Sequence, residues 1–221
     1  MKNKIHNLNI FVIMLVVLYS ISINKLLSST NIDKFMNYSI TFLTSLGFYR
    51  LFIILLYSII NNFDVILKIY WRKLYLKGYW YYTYTLDGRI YYGIWKIEQD
   101  IYGIVINGFG IDEDGKQRSD VRSVTQLIEN NHAYDIVNSR RDLVDFEKDN
   151  YSKTTLHPDT PKKNSLFSIN VPNKMRAVTY LYGGRLSGII HKDVVFRKLN
   201  NAFCEDDVIN YLNENVIKKM S

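Results

Sequence analysis

The amino-acid sequence predicts a membrane-anchored all-β protein, in which two N-terminal transmembrane helices precede a small meander β-barrel of about eight strands with a short C-terminal helix. Two long apolar runs lie within the first 63 residues, and they predict the helices. From Gly78 onward, aromatic and β-branched residues recur in short segments between turn residues, which predicts the strands. The clearest such segment is GYWYYTYTLDGRIYYGIWKI at 78–97, where rings fill nearly every second position around the turn signal Asp87-Gly88.

The first apolar run covers residues 8–28, and Lys25 is its only charged residue. Its length matches the about 20 residues that cross a bilayer core. The preceding MKNKIHN also suits a cleaved signal peptide, but no small-x-small cleavage site follows the run, and a second apolar run does. We therefore predict a transmembrane helix at residues 8–28.

The second transmembrane helix is predicted at residues 43–63, within an apolar segment that contains Arg50. An arginine at the centre of a lone span costs roughly 2.5–3.5 kcal/mol on insertion scales, so this register places Arg50 nearer one membrane face. Two interpretations of Arg50 stay open. Either its side chain extends to the headgroups, or it faces a neighbouring helix and contributes to assembly.

Basic residues flank the spans on one side. Lys2 and Lys4 precede the first span, and the basic linker 64–77, which is predicted to be helical, follows the second. By the positive-inside rule, both termini are cytoplasmic. A single cysteine, Cys204, makes an intrachain disulfide impossible, as expected for a reducing compartment.

Residues 78–221 are predicted to form the cytoplasmic β-barrel, which is the ligand-binding domain. A meander of this length can close on itself and so remove its exposed edges. All three prolines and many charges fall in residues 139–174, which predicts a long inserted loop with at most one strand. Residues 205–220 predict a short helix packed on the barrel. Strands are expected at 78–85, 89–99, 101–111, 121–129, 132–138, 165–171, 176–182 and 186–193, with 194–199 as the candidate closing strand.

The strand period of two places alternate rings on one face. One set contains Gly78, Trp80, Tyr82 and Tyr84, and the next strand contributes Tyr91, Gly93, Trp95 and Ile97. Trp80 and Trp95 suit an ordinary core at a closed barrel end. Buried tyrosine hydroxyls need partners, so several of them favour a polar, planar guest, with strand arginines as phosphate donors. The candidate ligand-binding residues are Tyr82, Tyr84, Tyr91, Trp95, Arg122, Ser123, Tyr134, Arg176 and Arg185.

The sequence does not indicate an enzyme, a cofactor or a metal site. Its four histidines are scattered, and it contains no phosphate loop or nucleophile elbow. Residues 68–221 carry 23 Lys and Arg against 19 Asp and Glu. This excess is too small for a surface that wraps DNA or RNA, but it suits an anionic membrane surface.

The two spans, the basic linker and the spacing of glycine and aromatic residues resemble the two-transmembrane β-barrel effectors of CBASS, the bacterial cyclic-oligonucleotide anti-phage systems. The resemblance is carried by GYWYYTY, YYGIWKIEQ, IVINGFG, RSVTQLI, YDIVN and LSGII. It implies that the barrel binds a cyclic dinucleotide made by a cognate CD-NTase. It further implies that the protein lies in the bacterial inner membrane, forms homo-oligomers on activation and disrupts the membrane lipids, which causes abortive-infection cell death.

Two other interpretations stay open. The barrel could be a membrane-anchored, lipocalin-like carrier of a lipid or other apolar ligand, or a non-enzymatic scaffold that contacts only protein partners. The barrel interior distinguishes them, because a lipid site needs aliphatic walls and a scaffold needs a filled interior.

Overall fold

The computed structural model divides the chain into two compact units, Met1–Tyr70 and Trp71–Ser221. The structure describes residues 2–30, 32–86, 89–112, 114–125, 127–130, 133–143, 149–159, 171–182, 188–200, 202 and 204–214.

The first unit is helical. It contains α1 (Lys2–Ser28), α2 (Lys34–Asn62) and most of α3 (Asp64–Trp71), which a 3-10 turn (Arg72–Leu74) follows. Asp33 caps α2, since its carboxylate accepts a hydrogen bond from the backbone N–H of Phe35 at 3.0 Å. Two of these helices, over Ile5–Ser28 and Lys34–Asn62, are long and apolar enough to cross a bilayer. They include nearly all of the predicted spans 8–28 and 43–63.

Polar side chains join α1 and α2. Such contacts are typical of helices that associate in an apolar environment. Arg50 takes no part in them: its side chain is exposed, and no described residue forms an ion pair with it. Hydrogen bonds between described residues of the two helices include Tyr57 to Asn9 at 3.0 Å, Ser20 to Ser45 at 2.5 Å and Asn37 to Ser28 at 3.1 Å.

The second unit is a closed antiparallel barrel of eight strands with one extra strand, and the predicted fold class is therefore confirmed. The wall runs in the order β4-β3-β2-β1-β9-β8-β7-β6, and the pairing of β4 with β6 closes it. The short β5 is the extra strand and adds to β6 beside β4. The strands are β1 (Gly78–Leu86), β2 (Arg89–Gln99), β3 (Ile104–Ile111), β4 (Gln117–Ser123), β5 (Ile128–Asn130), β6 (Ala133–Asp142), β7 (Asp149–Asp159), β8 (Lys174–Tyr182) and β9 (Ile190–Leu199).

The expected insert 139–174 contributes to the barrel wall. Its first residues continue β6 as far as Asp142, and Asp149–Asp159 forms the whole of β7. The strand is hard to find in the sequence because its buried positions include polar residues, among them Ser152 and Thr154. The strand predicted at 165–171 lies outside the described residues except for Val171, which is not in a strand.

The last helix, α4 (Glu205–Leu212), packs on the outside of the barrel as predicted. Val208 and Leu212 are fully buried, and they form one apolar cluster with outward residues of β1, β2, β3 and β9. Of the predicted continuation to residue 220, residues 215–220 lie outside the described residues. The barrel residues of this cluster are Tyr79, Tyr92, Ile94, Phe109, Ile111 and Leu199.

Side-chain hydrogen bonds fix the backbone of residues 74–77, just before β1 begins. The side-chain oxygen of Gln99 accepts hydrogen bonds from the backbone N–H groups of Leu76 and Lys77, at 2.8 and 3.1 Å. Its amide nitrogen donates to the carbonyl of Leu74 at 2.9 Å. Trp80, which is fully buried, donates from its indole N–H to the carbonyl of Leu76 at 2.6 Å. Trp80 therefore belongs to the core at this end of the barrel.

Candidate ligand-binding site

The aromatic residues predicted to share the inner face of β1 and β2 do form one cluster. The ring of Tyr84 stacks on that of Tyr91 with centroids 5.5 Å apart. Tyr82 lies between Tyr84, at 5.9 Å, and the edge of Trp95, at 5.8 Å. Phe196 of β9 completes the cluster at 4.3 Å from Tyr82. The barrel interior beside β1, β2 and β9 is therefore filled by packed rings.

Gly93 makes room for this packing. It pairs with Tyr82 across β1 and β2, and the Tyr82 ring lies directly over its backbone. A Cβ atom at position 93 would lie 2.0 Å from Cζ of Tyr82, far inside van der Waals contact. No side chain larger than hydrogen fits here unless the Tyr82 ring moves.

Replacing Gly93 with alanine is expected to destabilise the barrel by about 1–3 kcal/mol, because a core that is already packed must absorb an extra methyl group. Thermal unfolding followed by near-ultraviolet circular dichroism measures the loss. Gly47→Ala is the matched control, since nothing lies within 4 Å of its added Cβ. An unchanged melting temperature in Gly93→Ala would show that the ring is not held as described.

A partly buried arginine faces the same cluster from β6. An Nη of Arg140 donates a hydrogen bond to the hydroxyl of Tyr84 at 2.8 Å, and its Cζ lies 5.6 Å from the Tyr84 ring centroid. No carboxylate among the described residues forms an ion pair with it. A guanidinium has five N–H donors, so Arg140 keeps donors for a further partner.

Arg140 borders a small inner chamber of about 40 Å³. By volume it holds roughly three water-sized groups. Its apolar wall comes from Trp95, Val121, Leu181 and Val194. Its polar wall comes from Tyr82, Tyr84, Arg140, Ser152, Thr154, Thr179 and His191.

Several buried polar atoms on the barrel strands have no hydrogen-bond partner among the described residues. Asn138 is fully buried, and neither its amide oxygen nor its amide nitrogen is paired. The side-chain oxygens of Ser119 and Asn150 and Nε2 of His191 are also buried and unpaired. Each such atom costs about 1–3 kcal/mol relative to a satisfied one. The interior is therefore built for polar contents.

Electrostatics in the chamber favour an anion. Burial, and then the positive charge of Arg140, lower the pKa of His191, so this imidazole is neutral at pH 7. Burial on its own lowers the pKa of Arg140, but Tyr84, Tyr82 and then the carboxylate of Asp142 outweigh it and raise the pKa above its usual value. Burial and Tyr84 raise the pKa of Tyr82, so its hydroxyl keeps its proton. The chamber therefore presents one fixed cation among neutral donors.

A larger cleft of about 450 Å³ adjoins the chamber and shares Tyr84, His191 and Val194 with it. This volume lies within the about 300–1,000 Å³ of typical small-molecule sites, whereas the inner chamber is far smaller. The remaining lining residues of the cleft are Thr83, Thr85, Ile90, Ile190 and Lys192.

No family model, no curated protein and no solved structure matches this chain. The site is therefore interpreted from its own chemistry. Among the described residues, no group of three or more histidine, cysteine, aspartate or glutamate side chains is placed to hold a metal ion.

The structure brings together four of the nine residues predicted for the site. Tyr82, Tyr84 and Trp95 line the chamber, and Tyr91 stacks on Tyr84. Sequence reasoning missed Arg140 and His191. Continuing the period of two from Ile136 through Asn138 would have placed Arg140 on the inner face, because β6 extends beyond the predicted end of its strand.

The other five residues lie elsewhere or outside the described residues. Arg122 follows the chamber residue Val121 on β4 and is therefore exposed on the outer face. Arg176 is also exposed, and its Nη lies 3.6 Å from a carboxylate oxygen of Asp159. The period of two thus removes both arginines from an interior site. Of the rest, Ser123 accepts a hydrogen bond from the Ile106 N–H at 3.0 Å, Tyr134 is buried near the start of β6 away from the chamber, and Arg185 is outside the described residues.

Proposed function

We propose that the protein is an anti-phage effector of the bacterial inner membrane that binds a cyclic dinucleotide through its cytoplasmic barrel, oligomerises and disrupts the membrane. The observation that carries the proposal is Arg140, a partly buried guanidinium that has no ion pair among the described residues and lies beside a cluster of tyrosine rings.

A partly buried cation with no ion pair among the described residues is costly, because the Tyr84 hydroxyl and ring replace only part of its hydration. The free donors of Arg140 and the hydroxyls of Ser152, Thr154 and Thr179 surround one small space. Guanidinium groups bind phosphate with paired, charge-assisted hydrogen bonds. One phosphate group of a ligand is therefore the occupant that this chemistry favours.

The aromatic wall supplies the second part of the recognition. Tyrosine rings stack on nucleobases without requiring a particular base, and the Tyr84 ring lines both the chamber and the larger cleft. The chamber is too small for a whole nucleotide. A phosphate on Arg140 with its sugar and base in the cleft fits the two volumes.

The alternatives fit these observations less well. A lipid carrier needs an aliphatic interior, whereas the residues that line this chamber include Arg140 and five hydroxyl-bearing side chains. The packed interior beside β1, β2 and β9, with Trp80, Trp95 and Phe196, does favour a scaffold. A scaffold does not require an arginine without an ion pair in its interior, because a methionine of similar length would leave the folded protein as stable or more stable.

Titration of the full-length protein in detergent with cyclic di-AMP, cyclic di-GMP and cyclic GMP–AMP tests the proposal by calorimetry. At least one is expected to bind, and the matching linear dinucleotide should bind more weakly because it loses more conformational freedom. If all three fail to bind, the ligand-sensing proposal is wrong, and the result favours the lipid-carrier or the scaffold interpretation.

Binding is expected to strengthen as the pH is lowered from about 8 to about 5.5, the range in which histidine gains its proton. The pKa of His191 is lowered in the free protein by burial and by Arg140. A bound phosphate neutralises Arg140 and can accept a hydrogen bond from protonated Nε2, so the pKa of His191 rises on binding. The affinity therefore increases as the pH falls from the bound-state pKa to the free-state pKa.

His191→Gln should remove this pH dependence, and His157→Gln should keep it, because His157 is exposed on the outer face of β7. Calorimetry at several pH values makes the comparison. An identical pH profile in His191→Gln and the wild type would mean that His191 does not contact the ligand.

A further inference from the structure

We infer that the cyclic dinucleotide docks from the side of the barrel, through a seam between β1 and β9, and leaves only one phosphate inside. This inference rests on the proposed function. It concerns where the ligand enters and which residues outside the inner chamber it contacts.

The seam is visible in the strand pairing. β1 pairs with β2 along its whole length, from Gly78 with Ile97 to Leu86 with Arg89. Its pairing with β9 is much shorter and runs only from Tyr79 with Leu199 to Tyr82 with Phe196. Beyond Tyr82 and Phe196 the two strands separate, and the 450 Å³ cleft lies between them. A closed barrel wall therefore has a lateral opening at this position.

An irregularity in β9 accounts for the opening. Ala177 of β8 pairs with Val194 of β9, and Thr179 pairs with His191. Between these two pairs the chain advances by two residues in β8 but by three residues in β9. β9 thus carries one extra residue, as in a β-bulge, which bends a strand and can turn a side chain to the other face. Val194 and His191 both line the chamber, although a regular strand would place them on opposite faces. The same irregularity opens the seam and turns His191 inward.

The composition of the seam matches the rest of a cyclic dinucleotide. A cyclic dinucleotide has two phosphates, and the chamber has room for only one. Lys192 lines the cleft with its exposed ammonium group, which suits the second phosphate. Ile90 and the Tyr84 ring supply apolar and aromatic surface for a base, and Thr83 and Thr85 are exposed hydroxyls on the rim.

Cysteine protection in the full-length protein tests the inference. The background is Cys204→Ser, which removes the exposed native thiol and keeps a residue that caps α4 well. Thr83→Cys and Thr85→Cys place single thiols on the rim of the seam, and Arg122→Cys is the control on the outer face of β4. Labelling by a maleimide is timed with and without cyclic GMP–AMP, or whichever cyclic dinucleotide binds in calorimetry.

At a ligand concentration ten times Kd, about one site in eleven is free, so labelling of Thr83→Cys and Thr85→Cys should slow roughly tenfold. The Arg122→Cys control should label at an unchanged rate. Conversely, maleimide-modified Thr85→Cys should bind the ligand at least about tenfold more weakly than unmodified protein, because the adduct fills the cleft.

The two ways of failing are distinguishable. If calorimetry shows binding but neither rim cysteine is protected, the ligand does not dock at the seam, while the proposed function stands. If no cyclic dinucleotide binds to the wild type, the proposed function and this inference both fall.

Discussion

Replacing Arg140 with methionine is expected to weaken cyclic-dinucleotide binding by roughly tenfold to a hundredfold, because a hydrogen bond to a charged group contributes about 1.5–3 kcal/mol and tenfold corresponds to about 1.4 kcal/mol. Methionine resembles arginine in length but has no charge and no N–H donors. The effect should exceed that of any other single substitution in the barrel, since among the described residues Arg140 is the only cation that lines the chamber.

The same substitution is expected to raise the melting temperature of the free protein. It removes a partly buried charge that has no ion pair among the described residues, and replacing buried charges with well-packed apolar groups is often stabilising by about 1–4 kcal/mol. The Tyr84 hydroxyl loses one hydrogen bond, which offsets part of this gain. Weaker binding in a more stable protein would identify Arg140 as a ligand contact, since a structural arginine would show a loss of stability.

Arg122→Met and Arg176→Met are the matched controls, because both arginines lie on the outer face. They remove the same charge from the barrel without touching the chamber. Calorimetry and thermal unfolding on all three variants complete the comparison. If Arg140→Met binds as tightly as the wild type, or if all three variants weaken binding equally, Arg140 does not hold the phosphate.

Much of the fold can be predicted from residue patterns because the relevant signals are local. The alternation of rings in 78–97 is enough to predict that Tyr82, Tyr84, Tyr91 and Trp95 share a face, since a strand has a side-chain period of two. The absence of charges in 8–24 is likewise enough to predict a long apolar helix. In both cases the prediction needs only neighbouring residues of one segment.

The site is harder to predict because it depends on strand register and on polar residues inside a barrel. Asn138 and Ser152 are buried although their residue types are usually exposed. The sequence pattern therefore ends β6 at residue 138 and makes β7 resemble a loop. Arg140 belongs to residues 139–142, the part of β6 that the sequence pattern does not predict as strand. His191 faces inward only because of the extra residue in β9, and no local pattern in the sequence reports a change of register.

The second large effect is expected in the two apolar helices, where Arg50→Leu should greatly reduce the proposed ligand-induced membrane damage. At 1.5 Å per residue, Arg50 lies about 24 Å from the start of α2 and about 18 Å from its end, so it lies near the middle of this apolar helix. Asp33 is the only acidic residue between Met1 and Phe63, and it precedes α2. The hairpin therefore has no carboxylate within the helices to pair with Arg50.

An arginine in this position costs roughly 2.5–3.5 kcal/mol in a lone span. Assembly of several copies can recover this energy, because neighbouring helices supply hydroxyl and carbonyl oxygens to the guanidinium. Two helices cannot enclose a water-filled pore within one protomer, so the proposed damage requires assembly. Leucine removes the cost from the lone protomer, and the drive to assemble then falls by roughly a hundredfold for each protomer added.

Dye release from vesicles of phosphatidylethanolamine and phosphatidylglycerol that contain the reconstituted protein measures the effect after addition of the cyclic dinucleotide. Arg50→Leu should release dye at least about tenfold more slowly than the wild type, whereas Arg50→Lys keeps the charge and should retain most of the activity. Leu51→Ala, at the neighbouring exposed position, is the control for a change of helix surface without a change of charge. Carbonate extraction confirms that each variant remains inserted, and calorimetry confirms that the barrel still binds. Equal dye release by Arg50→Leu and the wild type would mean that the Arg50 side chain only extends to the headgroups, and that the spans assemble through other contacts.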